Sequence, residues 1–138
     1  MTPEEAYQLA LKYGPSDYTR EIACQDPECA YNYALDIDKI PRDDTREAAC
    51  EDPWCAYHYA LKIDKQPRDD TRKAACREWV TSCFYAAFVD KHPTIETWQA
   101  VKGTGYEKDY IEWCMKNFKI HPEEYFSGMK VLELITNI

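Results

Sequence analysis

Seven cysteines are the residues of this 138-residue chain most able to carry chemistry. Four of them form two C-x4-C pairs, Cys24–Cys29 and Cys50–Cys55, which lie 26 residues apart. Such cysteines can form disulfides, bind zinc as thiolates, or fill small buried sites. The odd count argues against disulfides, and the missing C-x2-C knuckle argues against zinc. We expect mostly reduced thiols that pack like the alanines beside them, and no bound metal.

The other side chains that could act as acids, bases or ligands are the carboxylates and three histidines. The histidines are His58, His92 and His121. They lack the spacing of a metal-binding pair, and neither a GxSxG nucleophile motif nor a phosphate-binding loop occurs. The pair Asp36–Asp38 could act as acid and base, but its second member recurs at positions 64 and 90, which favours a structural role. The sequence predicts no catalytic residue, no cofactor and no enzymatic activity.

Recurrence is general in this chain, because a block of 26 residues is repeated almost unchanged. Residues 41–50 read PRDDTREAAC and residues 67–76 read PRDDTRKAAC; residues 25–39 read QDPECAYNYALDIDK and residues 51–65 read EDPWCAYHYALKIDK. Weaker copies precede and follow these, so we count about four units whose outer members have diverged, as terminal repeats do. A repeat of this length predicts stacked copies of one small unit of secondary structure.

Each unit is predicted to be a pair of short helices. Asp43 and Asp44 place acidic, capping residues at one helix start, and Pro53 ends that helix and begins the next. Apolar residues of the next helix follow the i, i+3, i+4, i+7 spacing of one helical face. They are Ala56, Tyr59, Ala60 and Ile63. Helices of about 8 and 12 residues are too short to be stable alone, so stacking must hold them.

The expected fold is all-α: a solenoid-like stack of about four short helical hairpins followed by a C-terminal helical segment. The repeat region covers residues 1–102, and the pattern slips at residues 103–105, which read Gly-Thr-Gly. Residues 103–138 are expected to form a helical segment packed on the last repeat, within a single domain.

Three residue types keep their places from unit to unit and are predicted to hold neighbouring units together. The three series are Arg20, Arg46 and Arg72; Asp38, Asp64 and Asp90; and Tyr33, Tyr59 and Tyr85. Arginine and carboxylate form strong paired hydrogen bonds, and aromatic rings stack. We therefore expect Arg–Asp pairs and stacked tyrosines between adjacent units.

Positions that differ between matching units are the candidates for a binding surface, because a repeated frame cannot by itself specify one partner. Between the two best-matching units these positions are 28 and 54, 32 and 58, and 36 and 62. Trp79 also departs from the repeat, since it stands where the preceding unit has Pro53. Tryptophan is enriched among residues that dominate interfaces. The predicted partner-binding residues are Glu28, Trp54, His58, Lys62 and Trp79, with the tryptophans as anchors.

A net charge of −8 argues against a nucleic-acid binder, which normally carries a basic patch. Basic residues are interspersed with the acidic ones, as on an ordinary solvated surface. No apolar run approaches the roughly 18 residues of a transmembrane helix, and the N-terminus lacks the basic start and apolar core of a secretory signal. We expect a cytoplasmic protein with a protein partner and no contact with a membrane.

The paired short helices resemble α-solenoid families such as the tetratricopeptide and Sel1-like repeats, whose units are longer. The signature DP-x-x-A-Y-x-Y-A-L-x-x-D-x-x-P-R-x-D-T-R-x-A-A-C, at residues 26–50 and 52–76, is similar to repeats of uncharacterised bacteriophage proteins. The resemblance covers about residues 3–102. It implies a protein-binding scaffold, and a small acidic phage protein is expected to inhibit a host defence protein, as an anti-CRISPR does.

Two alternative functions stay open at the level of the sequence. The first is an acidic mimic of nucleic acid that blocks a DNA- or RNA-binding protein. The second is a small-ligand binder or enzyme with a site in the C-terminal segment. Salt sensitivity of partner binding separates the first alternative from ordinary protein binding, because binding by charge weakens with added salt.

Overall fold

The protein is predominantly helical over residues 1–127, the part of the chain that the structure, a computed structural model, describes. Its α-helices are α1 (Pro3–Tyr13), α2 (Asp17–Ala23), α3 (Pro27–Tyr33), α4 (Asp43–Ala49), α5 (Pro53–Tyr59), α6 (Asp69–Ala75), α7 (Trp79–Phe84), α8 (Ile95–Val101) and α9 (Glu107–Phe118). Wider π-helical turns continue α3, α5 and α7 over Ala34–Asp38, Ala60–Asp64 and Tyr85–Asp90, and residues 122–127 are also helical. No strand occurs in these residues, and the prediction of an all-α fold is confirmed.

Consecutive helices pair as hairpins, and the hairpins stack. α1 packs on α2, α3 on α4, α5 on α6 and α7 on α8; adjacent hairpins also meet through their first helices, since α5 contacts both α3 and α7. The buried residues between these helices are largely alanines, whose small side chains let the helices approach closely. The fully buried alanines of the central hairpins are Ala30, Ala34, Ala49, Ala56, Ala60 and Ala75.

The first helices of the two best-matching hairpins, α3 and α5, start and end with the same local interactions. In α5, the Asp52 carboxylate accepts a hydrogen bond from the Cys55 N–H at 3.0 Å, and Pro53 takes the first helical position. The following π turn ends at Lys65, whose φ of 57° is left-handed and whose N–H donates to the Ala60 carbonyl at 2.8 Å. This conformation recurs at Lys39, Lys91 and Lys119. The left-handed residue turns the chain out of the helix while satisfying one of its last carbonyls.

The start of the second helix differs from the sequence prediction. The N-cap residue of α4 is Arg42, and Asp43 and Asp44 lie in the first turn instead of capping it. Asp43 accepts a hydrogen bond from the Arg46 guanidinium at 2.8 Å, while the Asp44 carboxylate accepts one from the Thr45 N–H at 2.8 Å. Both carboxylates lie at the positive end of the helix dipole, where negative charge is stabilising.

Arg46 joins neighbouring hairpins. Its Nη2 lies 2.6 Å from Asp64 Oδ1 and its Nε lies 3.0 Å from Asp64 Oδ2, a two-pronged contact between α4 and the end of the next hairpin's first helix. The two side chains are 7% and 2% exposed. The equivalent pairs are Arg20–Asp38 and Arg72–Asp90, at 2.7 and 2.6 Å. The predicted Arg–Asp pairs between units are therefore present.

Tyr59 secures the same junction, but not by the ring stacking that the sequence predicted. Its hydroxyl accepts a hydrogen bond from the Arg42 N–H at 3.0 Å and lies 2.8 Å from Thr45 Oγ1, so it binds the start of the preceding hairpin's second helix. The ring contacts the Arg46 guanidinium, 5.5 Å from the ring centroid. Stacked helices lie about 8–10 Å apart, too far for tyrosines one unit apart to stack. The equivalent hydroxyl pairs are Thr19–Tyr33, Thr71–Tyr85 and Thr97–Tyr110.

We call the Arg–Asp and Tyr–Thr contacts together the ladder. Its last rung, between Thr97 and Tyr110, reaches α9 beyond the point where the sequence pattern slips. There Tyr110, Cys114 and Phe126 share a buried cluster with Trp98 and Val101 of α8. The remaining residues of the expected C-terminal segment, 128–138, lie outside the described chain. Within residues 1–127 no helix is both long and apolar enough to cross a bilayer.

Candidate functional site

A row of aromatic side chains lies on the outer surface of α5 and α7. Trp54, Phe84 and Phe88 are 40%, 39% and 52% exposed, and His58 is half-buried beside them. The Trp54 ring lies 6.1 Å from His58, nearly parallel to it, and 5.6 Å from Phe84; Phe84 lies 5.9 Å from Phe88. We call these four residues the aromatic face.

The repeat itself brings the aromatic face together. Trp54 and His58 are one turn apart on α5, so both point to the same side of that helix. Phe84 stands 26 residues after His58, and Phe88 stands 26 residues after Lys62, so they occupy the equivalent positions of the next hairpin. The ladder fixes α5 beside α7 in that register, and equivalent positions therefore form one row.

Beneath this row lies Tyr57, which is buried and supports the exposed rings. Its ring lies 5.0 Å from His58, 5.9 Å from Phe84 and 6.3 Å from Trp54. Burial raises the pKa of the Tyr57 hydroxyl, so it remains protonated near neutral pH. The side chain beneath the aromatic face is therefore neutral.

Towards the N-terminus the same surface becomes polar. The positions equivalent to Trp54, His58 and Lys62 carry Glu28, Asn32 and Asp36 on the preceding hairpin. There Glu28 is exposed, and Asp36 accepts a hydrogen bond from the Tyr7 hydroxyl at 2.6 Å. Tyr31 links the two zones, because its ring lies 5.9 Å from His58.

The five predicted binding residues therefore do not form one cluster. The structure brings Trp54 and His58 together, and Lys62 is exposed one turn further along the same segment. Burial and the Lys62 charge lower the pKa of His58, so its imidazole is neutral at pH 7. Glu28 lies on the polar zone, outside the aromatic face.

Trp79, on α7, is half-buried and does not belong to the aromatic face. Its ring stacks on Tyr106 with centroids 3.8 Å apart and an interplanar angle of 12°. It also packs against the buried cluster of α8 and α9. Trp79 thus covers the core locally and lines a groove that Phe84 and Phe88 of the aromatic face also line.

Sequence reasoning missed Phe84 and Phe88. The signal was available, because these phenylalanines occupy the equivalents of positions 58 and 62, which were already recognised as variable. The departure from the repeat that marks His58 also marks Phe84 in the next unit.

The cysteines do not form a chemical centre in the described residues. All seven are free, and no group of three or more metal-ligating side chains lies together within residues 1–127. Only Cys29 and Cys114 are buried; the other five are partly exposed, so the prediction that the cysteines fill buried sites holds for two of them. Burial raises the pKa of Cys50 to about 11 and that of Cys55 to about 12, which keeps these thiols protonated and weakly nucleophilic at neutral pH.

The side chains of this surface are suited to noncovalent contacts. The aromatic face presents π faces, a neutral imidazole and a nearby ammonium group, and none of these is an activated nucleophile. Comparison of the chain with protein-family models, curated proteins and solved structures gave no match. Its function is therefore argued from the described geometry.

Proposed function

We propose that the protein is a non-enzymatic binding module that docks a protein partner on the aromatic face. The observation that carries this proposal is the contiguous row of exposed rings from Trp54 to Phe88. Scattered apolar residues are normal on a protein surface, but a contiguous apolar patch usually marks an interaction site. Aromatic residues are also enriched in the core of protein interfaces.

The rigidity of the frame supports the same proposal. The ladder holds α5 and α7 in place through buried pairs such as Arg46–Asp64, and Tyr57 packs below the exposed rings. A partner that binds such a surface has few side chains to order, so little of the contact energy is lost as conformational entropy.

An acidic mimic of nucleic acid has weaker support. The highly exposed carboxylates Asp17, Asp43 and Asp69 each lie within 2.9 Å of a ladder arginine, which offsets part of their charge. From the resemblance of the repeat sequence to bacteriophage proteins we draw a narrower proposal. In it, the partner is a host defence protein and the complex forms in the host cytoplasm.

The experiment compares capture of partners by matched variants. Wild type, Trp54→Ala, Phe84→Ala and Tyr18→Ala are immobilised, exposed to a bacterial lysate and analysed by quantitative mass spectrometry. Tyr18 is the control, because it is an exposed aromatic residue outside the aromatic face. We expect one protein that wild type and Tyr18→Ala retain and that both face variants lose, each truncation costing about 2 kcal/mol of binding.

Two other outcomes would contradict the proposal. Equal retention by all four proteins would place the binding surface elsewhere. Retention that survives both face variants but disappears with added salt would favour the acidic mimic, because interactions between exposed charges are screened by salt. Circular dichroism of each variant shows whether the fold is kept.

A further inference from the structure

A groove separates α7 from α9 at the C-terminal end of the described stack. Its volume is about 290 Å³, roughly ten times the share of one water molecule in the liquid. One wall consists of Trp79, Phe84 and Phe88 on α7 and its π turn; the other includes Tyr106 and Trp113. The groove therefore has room for a small organic group between aromatic side chains.

These side chains contribute aromatic rings as well as apolar area. Trp79 and Tyr106 stack on each other and link the two walls, and Phe84 and Phe88 stack with an interplanar angle of 21°. The faces of aromatic rings are electron-rich and attract cations that have lost part of their water. A groove lined by several such rings favours a positively charged group over a neutral one of the same shape.

One charged residue lines the groove, the carboxylate of Asp109. Asp109 is exposed, and within residues 1–127 it forms neither a salt bridge nor a side-chain hydrogen bond. Burial raises the pKa of Cys83, which also lines the groove, to about 11, so this thiol is neutral at pH 7. The lining is therefore apolar with a single negative charge that is available to a ligand.

From this lining we propose that the groove binds a quaternary ammonium group, the trimethylated ammonium of a lysine side chain on the protein partner. The cation would contact the ring faces and lie near Asp109, with its aliphatic stem along Phe84 and Phe88. Those two phenylalanines also belong to the aromatic face, so a bound partner is in position to reach the groove. The choice of a quaternary ammonium group rests on the lining of the groove alone. The assignment of that group to a protein partner rests on the proposed function.

Hydrogen-bonding capacity selects this cation over the ordinary basic side chains. A guanidinium carries five N–H donors and a lysine ammonium carries three, whereas a quaternary ammonium has none. The groove offers the Asp109 carboxylate and two tyrosine hydroxyls as side-chain acceptors, and the Tyr110 hydroxyl is already bonded to Thr97 Oγ1 at 2.7 Å, so several donors of a bound guanidinium or ammonium would lack partners. Donors that enter an apolar site without partners lose their hydration uncompensated, and a quaternary ammonium avoids that cost.

The experiment titrates labelled protein with four probes and follows the indole N–H signals of Trp79 and Trp113 by NMR. The probes are a capped tripeptide containing trimethyllysine, the same tripeptide containing lysine, choline, and 3,3-dimethyl-1-butanol, the uncharged analogue of choline. We expect the trimethyllysine peptide to bind about tenfold more tightly than the lysine peptide, and choline more tightly than its analogue. Equal binding of charged and uncharged probes would overturn the cation site. Choline binding as tightly as the trimethyllysine peptide would overturn the assignment to a protein side chain.

A pair of mild substitutions tests the carboxylate. Asp109→Asn should weaken binding of the trimethyllysine peptide and of choline about threefold while leaving the uncharged analogue unaffected, because water screens the charge of an exposed carboxylate. Glu112→Gln is the control, because Glu112 is exposed on the same helix but does not line the groove. Unchanged affinity in Asp109→Asn would overturn the proposed role of that residue. These titrations use purified protein, so their failure is distinct from a failure of partner capture by the aromatic face.

Discussion

The ladder and the aromatic face lie on the same hairpins, but the ladder residues recur from hairpin to hairpin and the residues of the aromatic face do not. At each junction between hairpins the ladder uses the same residue types, as in Arg46–Asp64 and Arg72–Asp90. On the outer surface, one 26-residue series reads Asn32, His58 and Phe84. Residues that hold the stack together are therefore periodic, and residues that distinguish one surface zone from another are not.

Burial explains this difference. The ladder encloses charges that need each other, because a buried ion without its partner costs several kcal/mol. Each rung therefore tolerates little change. A side chain on the aromatic face keeps much of its surface in water, so it can change with a small effect on folding. We therefore expect substitutions in the ladder to lower the unfolding free energy more than substitutions on the aromatic face.

The largest effect is expected from Arg46→Ala. This change leaves the Asp64 carboxylate, 2% exposed, without its ion-pair partner. We expect a loss of about 3 kcal/mol of unfolding free energy, because breaking a buried pair by removing one partner is strongly destabilising. Urea unfolding followed by circular dichroism measures the change.

The matched control for Arg46→Ala is Lys62→Ala, in the next hairpin but exposed and outside the ladder. Its effect should stay within about 0.5 kcal/mol. Adding Asp64→Ala to Arg46→Ala should recover part of the loss, since the unpaired carboxylate is then removed. If the arginine and lysine variants unfold at the same urea concentration, the ladder does not stabilise the stack.

A smaller effect is expected from removing one ladder hydroxyl. Tyr59→Phe keeps the ring but leaves the Arg42 N–H and Thr45 Oγ1 without the tyrosine oxygen. We expect a loss of about 1–2 kcal/mol in the same unfolding assay, the usual cost of an unsatisfied buried polar group. Tyr57→Phe serves as the control, because the Tyr57 hydroxyl makes no hydrogen bond to the protein within residues 1–127. A larger loss in Tyr57→Phe than in Tyr59→Phe would contradict the proposed role of the ladder hydroxyls.

The sequence predicted the helical hairpins and the Arg–Asp pairs because each copy of the repeat restates them. It did not predict the contact of Tyr59 with Thr45. A fixed spacing along the chain does not show whether Tyr59 contacts the equivalent tyrosine of the next unit or a different residue. The position of Asp43 in the helix was also missed. Acidic residues favour both the N-cap and the first turn, and only the backbone distinguishes the two.

The aromatic face was predicted less completely than the frame. Trp54 and His58 were found because they break a repeat, and Phe84 and Phe88 follow from the same rule applied to one more unit. The groove between α7 and α9 could not be found in this way. It forms where the repeat register slips at residues 103–105, so no copy elsewhere in the chain indicates which side chains face each other.

The smallest effect is expected from His58, a residue of the aromatic face whose protonation changes the folding stability. Burial and the Lys62 charge lower the pKa of His58 in the folded protein below the ordinary 6.5. As the pH falls below 6.5, the unfolded chain binds a proton at this position before the folded chain does, so folding stability decreases until the pH reaches the lowered pKa. We expect the unfolding free energy of wild type to fall more between pH 7 and pH 5 than that of His58→Asn, which carries the residue found at the equivalent position 32. Urea unfolding of both proteins across this pH range measures the difference. Parallel pH dependence would show that the imidazole is as well hydrated in the folded protein as in the unfolded chain, and that the aromatic face is more open to water than the ring contacts of Trp54 and Tyr57 with His58 indicate.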